Sequence, residues 1–387
     1  MSVSDAEFPA YSIVSRARGC MLGLMCGDAL GAGVEGWPPD EIEKLAKGRW
    51  NSQLVEDYID AVHMASHVSA GEPGRYREAR PFETSGFVPT GPPRNQAVAA
   101  QCARRGMYTD DTNACLALAA SIVEQGGVDA HAVALSYARF WLHGDAVRGC
   151  PPTAQRVMQA VLDGASADET GLPPHFPFEG GSFANGGAMR ISPLAISHRT
   201  ASPAALRAAV ELAIRSSHRH PEAIDFAVVQ AAAVQYALLC VSPSDFAPQK
   251  LLADLAARCE TASMQQCVEA TASALAAAPC HGDGQHRDFA VVSGLVGRER
   301  RPGSGMGFQI ASVHCLPCVL WCVGRYHASP RRAVQEAIAL GGDTDTVASM
   351  VGAVVGALHG EEWCAQWAAQ LENGPHGRDF EIGRAHV

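Results

Sequence analysis

The feature that most constrains the fold is a helical periodicity of apolar residues that recurs along most of the chain. Nine segments, many of them rich in alanine, follow this 3.6-residue period. They are 112–124, 131–142, 203–215, 222–240, 248–258, 264–278, 311–326, 331–340 and 344–358. Alternating polar and apolar runs, which indicate strands, are nearly absent. The sequence therefore predicts an all-α fold, a compact bundle of many helices packed closely through small residues.

Composition narrows the class of protein and its partners. The chain has 387 residues, of which 47% are hydrophobic and 18% charged, so it can bury a large core and is not a disordered protein. A formal charge of −10 makes nucleic acid an unlikely partner. No run approaches the ~20 apolar residues of a membrane span. An odd count of thirteen cysteines and no signal-peptide pattern predict a cytoplasmic protein, with leaderless export left open.

Three stretches rich in proline and glycine interrupt the helical pattern. They cover residues 71–94, 164–187 and 297–307. Their composition predicts loops. Loops of more than ~12–15 residues inside a compact domain are usually functional or disordered.

Two acidic clusters precede predicted helices. The first is Thr109-Asp110-Asp111-Thr112 and the second is Gly341-Gly342-Asp343-Thr344-Asp345-Thr346. Ordinary capping of a helix N-terminus by Asp and Thr explains either cluster alone. Together they favour a further role, since each offers two carboxylates and two hydroxyls where a cap needs one oxygen.

The second cluster needs an irregular backbone if its carboxylates are to act together. Asp343 and Asp345 would point to nearly opposite sides of a regular helix, but Gly341 and Gly342 permit a turn that aims both at one point. Four converging carboxylates would repel and raise one another's pKa, and a divalent cation removes that conflict. Oxygen ligands favour Mg²⁺, Mn²⁺ or Ca²⁺ over Zn²⁺, and this set could hold two ions ~3.5–4 Å apart. That the two clusters meet is a hypothesis, because more than 200 residues separate them.

Glycines recur at every fourth position from Gly19 to Gly31. This spacing places a flat stripe on one face of a helix and allows a second helix to approach closely. Asp28 lies inside the same apolar run, and a buried carboxylate must be paired. Glu35 follows where the chain must leave the helix.

Two weaker motifs lie between the clusters. Residues 185–194, NGGAMRISPL, begin with a glycine pair whose backbone N–H groups could cradle a phosphate, although a plain tight turn is as good an interpretation. Residues 216–224, SSHRHPEAI, carry two histidines that are more often surface or capping groups than ligands.

A thiol redox function is an alternative from a different class of protein. Cys315 and Cys318 form a Cys-x-x-Cys motif, which at a helix start can lower the pKa of a thiol. Here the motif lies in an apolar run with a third cysteine, Cys322. Buried core cysteines are the favoured interpretation.

The chain resembles the ADP-ribosylglycohydrolases in five segments between about residues 16 and 360. These segments are GLMCGDALGAGVE, MYTDDTNACLALA, NGGAMRISPLA, SSHRHPEAI and LGGDTDTVASMVGAVVGALHG. The family includes ADP-ribosylarginine hydrolases and the dinitrogenase reductase-activating glycohydrolase. TDDT followed by GGDTDT is the specific part of the resemblance.

The resemblance implies a compact orthogonal all-α bundle with a centre of two divalent cations, Mg²⁺ or Mn²⁺. It also assigns site residues by motif. The implied metal ligands are Thr109, Asp110, Asp111, Asp343, Asp345 and Thr346. The implied catalytic residues are Glu35 and Asp343, and the implied substrate-binding residues are Asn185, Gly186, Gly187, Met189 and His218.

The function that follows is hydrolysis of the glycosidic bond between ADP-ribose and an acceptor, foremost arginine on an ADP-ribosylated protein. Serine-linked, O-acetyl- or nucleic-acid-linked ADP-ribose is an alternative substrate. A catalytically silent relative that binds ADP-ribose or serves as a scaffold is a second alternative. The chain is expected to form a single domain over 1–387, with a loop-rich insertion at about 38–107 that departs from the compact bacterial members.

Overall fold

The computed structural model describes residues 12–59, 106–143, 148–278, 285–296, 308–373 and 377–378. Within these ranges the chain forms α-helices and no β-sheet, apart from one isolated bridge between Ala184 and Ala311. In chain order the helices are α1 (Ile13–Gly31), α2 (Pro39–Trp50), α3 (Asp110–Gln125), α4 (Ala130–Leu142), α5 (Pro152–Leu162), α6 (Ala167–Thr170), α7 (Gly186–Met189), α8 (Ser192–Ser197), α9 (Pro203–Ile214), α10 (Pro221–Leu239), α11 (Pro248–Arg258), α12 (Ala262–Ala277), α13 (Gln285–Val296), α14 (Ser312–Tyr326), α15 (Pro330–Ala339), α16 (Thr344–His359) and α17 (Ala365–Ala368). The predicted all-α class is confirmed.

The apolar periodicity located the long helices well. Each of the nine predicted segments corresponds to a helix whose ends lie within two residues of the prediction. Of the helices longer than ten residues, α2, α5 and α13 were not among the predicted segments, and α1 was indicated by its glycine stripe. Three side chains are buried in α2 and two, Val157 and Val161, in α5.

Helices α1 and α16 form the centre of the bundle, and nearly every residue of both is buried. They approach through the glycine stripe of α1. A Cβ atom on Gly23 would lie 2.2 Å from the carbonyl oxygen of Gly352, and one on Gly27 would lie 2.2 Å from that of Ala348. Side chains larger than hydrogen therefore do not fit between the two helices, as the stripe predicts.

Helix α10 is the one helix among the described residues that is long and apolar enough to cross a membrane. Its most apolar stretch is 78% buried inside the protein. A core helix of a large bundle has these properties, because it must be apolar on all sides.

The cysteines of the Cys-x-x-Cys motif belong to the core. Cys315 and Cys318 lie on α14 with no exposed surface, and burial raises the pKa of both thiols. Pro317 between them has no N–H to donate to the Val313 carbonyl one turn earlier, and the Cys267 thiol donates to that oxygen instead (3.4 Å). The interpretation as buried core cysteines is confirmed, and nothing about the pair favours redox chemistry.

The predicted loops are covered in part. Residues 71–94 and 297–307 lie outside the described residues. Residues 164–187 follow an irregular path, interrupted by the single turn of α6 and by the start of α7. Within the expected insertion at 38–107, residues 39–50 form α2 rather than loop, and residues 60–105 are outside the described part.

Candidate functional site

The first acidic cluster stands at the start of α3. Thr109 is the N-cap, and its hydroxyl accepts from the backbone N–H of Asp111 (3.4 Å). Asp110 and Asp111 occupy the first turn, where the helix dipole favours negative charge. Thr109 therefore caps the helix through its own hydroxyl, and that hydroxyl also donates to the Asp111 carboxylate (3.3 Å).

The buried side chain of Asp28 forms hydrogen bonds to this first acidic cluster. The carboxylate has no exposed surface and lies on α1, one residue after Gly27. It accepts from the backbone N–H of Thr109 (3.0 Å) and from both the backbone N–H (3.0 Å) and the hydroxyl (2.6 Å) of Thr112. Burial raises its pKa and these hydrogen bonds oppose the rise. The buried acid is thus paired, as its place in an apolar run requires.

The second cluster is shaped by the two glycines before it. Gly341 (φ +71°) and Gly342 (φ +80°) adopt the left-handed backbone that glycine favours. Asp343, the N-cap of α16, makes no capping bond with its side chain and instead accepts from the Asn185 amide (2.7 Å). The Gln309 side-chain oxygen accepts from the backbone N–H of Asp343 (2.8 Å).

The turn that carries Glu35 is tied directly to the glycine pair. The backbone N–H of Gly36 donates to the Gly342 carbonyl (2.7 Å), and the backbone N–H of Gly342 donates to the Trp37 carbonyl (3.0 Å). This reciprocal pair of bonds fixes Glu35 beside Asp343. Glu35 ends the short 3₁₀ turn Ala32–Val34 that follows α1.

Segments that are far apart in sequence meet at this point. One carboxylate oxygen from each of Glu35, Asp343 and Asp345 lies within 4.8 Å of the others. Asp111 joins from α3, because its carboxylate accepts from the hydroxyls of Ser349 (3.0 Å) and Thr346 (3.3 Å) on α16. The structure therefore brings the two acidic clusters together with Glu35. Glu35 and Asp110 are partly exposed, while Asp111, Asp343 and Asp345 are buried.

The electrostatics of this pocket suit a divalent cation. Burial raises the pKa of Asp111 and Asp345 well above the usual range, and the neighbouring carboxylates add to the rise. Several carboxylates this close cannot all be ionised without a compensating charge. A set of carboxylate and hydroxyl oxygens matches the preferences of Mg²⁺ and Mn²⁺, so the residues present fit the cation that the sequence predicts.

The predicted substrate-binding residues begin at Asn185, whose amide donates to Asp343. Asn185, Gly186 and Gly187 form the turn that opens α7, and this turn packs against His218. A Cβ on Gly186 would lie 2.9 Å from Nε2 of His218, so only glycine leaves the imidazole in place. Met189 is 8% exposed and packs in the core.

His218 is held in one orientation. Arg190 donates to the Ser217 hydroxyl (2.5 Å), which lies 2.8 Å from Nδ1 of His218. Because the Ser217 oxygen accepts from Arg190, the Ser217 hydroxyl can donate its proton to Nδ1 of His218. The proton of the imidazole ring is then on Nε2, beside the glycine turn. Burial and the Arg190 guanidinium lower the pKa of His218 well below the usual range, so the ring is neutral at pH 7.

Sequence reasoning missed two residues that shape the pocket. Gln309 lies just after the 297–307 stretch, and nothing in its local sequence distinguishes it. Ser349 stands four residues after Asp345 on α16, so the helical repeat could have placed it on the same face.

The chain matches a known protein family over nearly its whole length. The sequence model of the ADP-ribosylglycohydrolase family matches residues 9–384. The chain belongs to the ADP-ribosylglycohydrolase family. The predicted resemblance is confirmed, and so is the prediction that the protein is a glycohydrolase.

Curated relatives of this glycohydrolase are distant but span most of its length. ADP-ribosylhydrolase ARH3 of Mus musculus is 27% identical over 364 residues, covering 90% of this chain and 85% of the relative. The Danio rerio protein of the same name is 30% identical over 375 residues, covering 93% and 87%. A solved ADP-ribosylglycohydrolase-related protein complex superposes with a TM-score of 0.60 over 96% of both chains at 22% identity, which supports the fold.

Proposed function

We propose that this glycohydrolase cleaves the glycosidic bond between ADP-ribose and an acceptor. Arginine on a protein is the first acceptor to test. We also propose that the reaction depends on two divalent cations, Mg²⁺ or Mn²⁺. The observation that carries the proposal is the meeting of Glu35, Asp343 and Asp345 within 4.8 Å. Family membership supplies the substrate class, because the family acts on ADP-ribosylated substrates.

The proposed ligands come from both acidic clusters. Asp343, Asp345 and Thr346 would hold the cations from the start of α16, and Thr109, Asp110 and Asp111 from the start of α3. Bound cations supply charge stabilisation, a fixed orientation for the ribose hydroxyls and an activated water. Asn185 and Gln309 would keep Asp343 in place through their hydrogen bonds to it.

Glu35 is the carboxylate placed to meet the substrate. It is partly exposed, as is Asp110, and its turn is anchored to Gly342 by two backbone hydrogen bonds. Cleavage of a glycosidic bond needs a protonated leaving group and a delivered water. We assign Glu35 to proton transfer or to orienting a ribose hydroxyl. General acid–base help is typically worth roughly 10²–10⁴-fold in rate.

The glycine turn and His218 would bind the diphosphate and ribose. The backbone N–H groups of a turn at the start of a helix suit anionic oxygens. A neutral His218 with its proton on Nε2 offers one further donor beside that turn. Met189 supports the turn from the core rather than by contact with the substrate.

The test is release of ADP-ribose by the purified protein in the presence of Mg²⁺ or Mn²⁺. Arginine-, serine- and nucleic-acid-linked ADP-ribose and O-acetyl-ADP-ribose serve as parallel substrates. Asp343→Asn or a chelator should abolish release, because each removes the charge that binds the cations. Asp254→Asn, which changes an exposed carboxylate paired with Arg258 on α11, is the matched control and should keep full activity.

Two results would contradict the proposal. Release that continues after chelation and in Asp343→Asn would rule out the metal dependence. ADP-ribose binding in calorimetry with no turnover of any substrate would instead identify a silent relative.

A further inference from the structure

The segment after the last long helix contacts the chain on both sides of residues 60–105. We call residues 362–372 the clamp segment; it includes α17. Trp367 donates from its indole to the Glu56 carbonyl (3.0 Å), and the Tyr58 hydroxyl donates to the Trp367 carbonyl (3.1 Å). Further on, the backbone N–H of Glu372 donates to the Gly106 carbonyl (3.0 Å). The clamp segment thus ties together two stretches that lie nearly 50 residues apart in sequence.

The clamp segment also contacts Tyr108. The Glu372 carboxylate accepts from the backbone N–H of Tyr108 (3.1 Å), and Arg148 donates to the Tyr108 carbonyl (2.8 Å). Arg148 also lies over the Tyr108 ring, 3.6 Å from its centre, and forms an ion pair with Glu372. Both main-chain polar groups and the ring of Tyr108 are therefore held by one pair of charged residues.

The packing around this pair leaves little freedom. The side chains of Arg148 and Glu372 are only 9% and 11% exposed, so water screens their interaction weakly. Gly106 has a φ of +71°, and a Cβ there would lie 2.2 Å from the Gln370 carbonyl oxygen. The backbone before α3 is thus pressed directly against the clamp segment.

Tyr108 is the residue before Thr109, which caps α3 and begins the first acidic cluster. Asp28 holds Thr109 from one side, and the Arg148–Glu372 pair holds Tyr108 from the other. We propose that Arg148 and Glu372 are positioning residues, which set the first acidic cluster at the distance from α16 that cation binding requires. This inference rests on the proposed metal centre. It adds two residues that are not ligands to those that set the geometry of that centre.

The test measures Mn²⁺ affinity of the full chain by titration calorimetry, with thermal unfolding of the same samples to check that each is folded. Glu372→Ala removes the acceptor and the charge, and we expect it to weaken Mn²⁺ binding by about 10-fold or more, as loss of residues that orient ligands does. Glu372→Gln keeps an acceptor for Tyr108 and should recover part of that loss. Arg148→Lys keeps the positive charge, but lysine cannot stack over the Tyr108 ring while it bridges the Tyr108 carbonyl and Glu372. This variant should therefore also weaken Mn²⁺ binding.

The matched control is Glu361→Ala. It breaks the ion pair of Glu361 with Arg18 on α1 (3.0 Å) next to the clamp segment, away from Tyr108. It should leave Mn²⁺ affinity unchanged. Unchanged affinity in a destabilised Glu372→Ala would overturn the inference while leaving the metal centre intact. A wild-type protein that binds no Mn²⁺ would overturn the metal centre and this inference together, so the two failures are distinguishable.

Discussion

Substitutions in the glycine stripe can separate two effects of helix packing. One is the effect on the free energy of unfolding, and the other is the effect on the proposed metal centre. A Cβ on Gly31 would lie 2.5 Å from the backbone nitrogen of Asp345, whereas a Cβ on Gly23 would lie 2.2 Å from the Gly352 carbonyl. Gly352 is seven residues from Asp345, about two helical turns or ~10 Å along α16. Both alanine substitutions force the helices apart, but only Gly31→Ala pushes directly on a proposed ligand.

The expected magnitudes follow from these distances. Ordinary contacts begin near 3.4 Å, so each variant must open the seam by about 1 Å. Overpacking of this kind typically costs about 1–3 kcal/mol, and the rigid backbone on both sides favours the upper end. A displacement of about 1 Å in a catalytic group can cost roughly 10²-fold in rate. We therefore expect similar losses of stability and very different losses of function.

The assay pairs denaturant unfolding with Mn²⁺ titration and ADP-ribose release. Gly31→Ala should lose Mn²⁺ affinity and activity, while Gly23→Ala should lose mainly stability. Gly48→Ala on α2 is the control, because no atom lies within 4 Å of its added Cβ and alanine favours helix by about 1 kcal/mol. Wild-type Mn²⁺ affinity in Gly31→Ala, at the same loss of stability as Gly23→Ala, would refute the reasoning.

Two further predictions concern Asp28 and His218. Asp28→Asn offers the Thr109 and Thr112 donors one acceptor oxygen in place of two, so we expect a loss of about 1–3 kcal/mol in the free energy of unfolding with Mn²⁺ present; unchanged unfolding would contradict this role for Asp28. The folded-state pKa of His218 is depressed, so its contribution to stability is present above the unfolded pKa of about 6.5 and is lost as pH falls. The free energy of unfolding should therefore fall less between pH 7 and pH 5 in His218→Gln than in the wild type. The difference is at most about 1.4 kcal/mol per pH unit. Identical pH profiles for the wild type and His218→Gln would show that His218 is not the group responsible.

The acidic clusters show how much of the candidate site can be predicted from local sequence. Gly341 and Gly342 do adopt the left-handed backbone that lets Asp343 and Asp345 point to one place, because that requirement follows from the helical repeat alone. The substrate-binding role of Asn185 stays a prediction. Its motif did not predict that its amide donates to Asp343, a contact that depends on how α7 and α16 pack.

The sequence by itself determined most of the long helices, their apolar faces, the glycine stripe and the residue types of the acidic clusters, because each of these depends on a repeat or a turn within a few residues. Only the tertiary structure decided that Glu35, Asp111 and Asp345 share one pocket and that residues 362–372 reach Tyr108. These contacts join parts of the chain that are far apart in sequence. They depend on which segments pack against one another, and no local pattern records that.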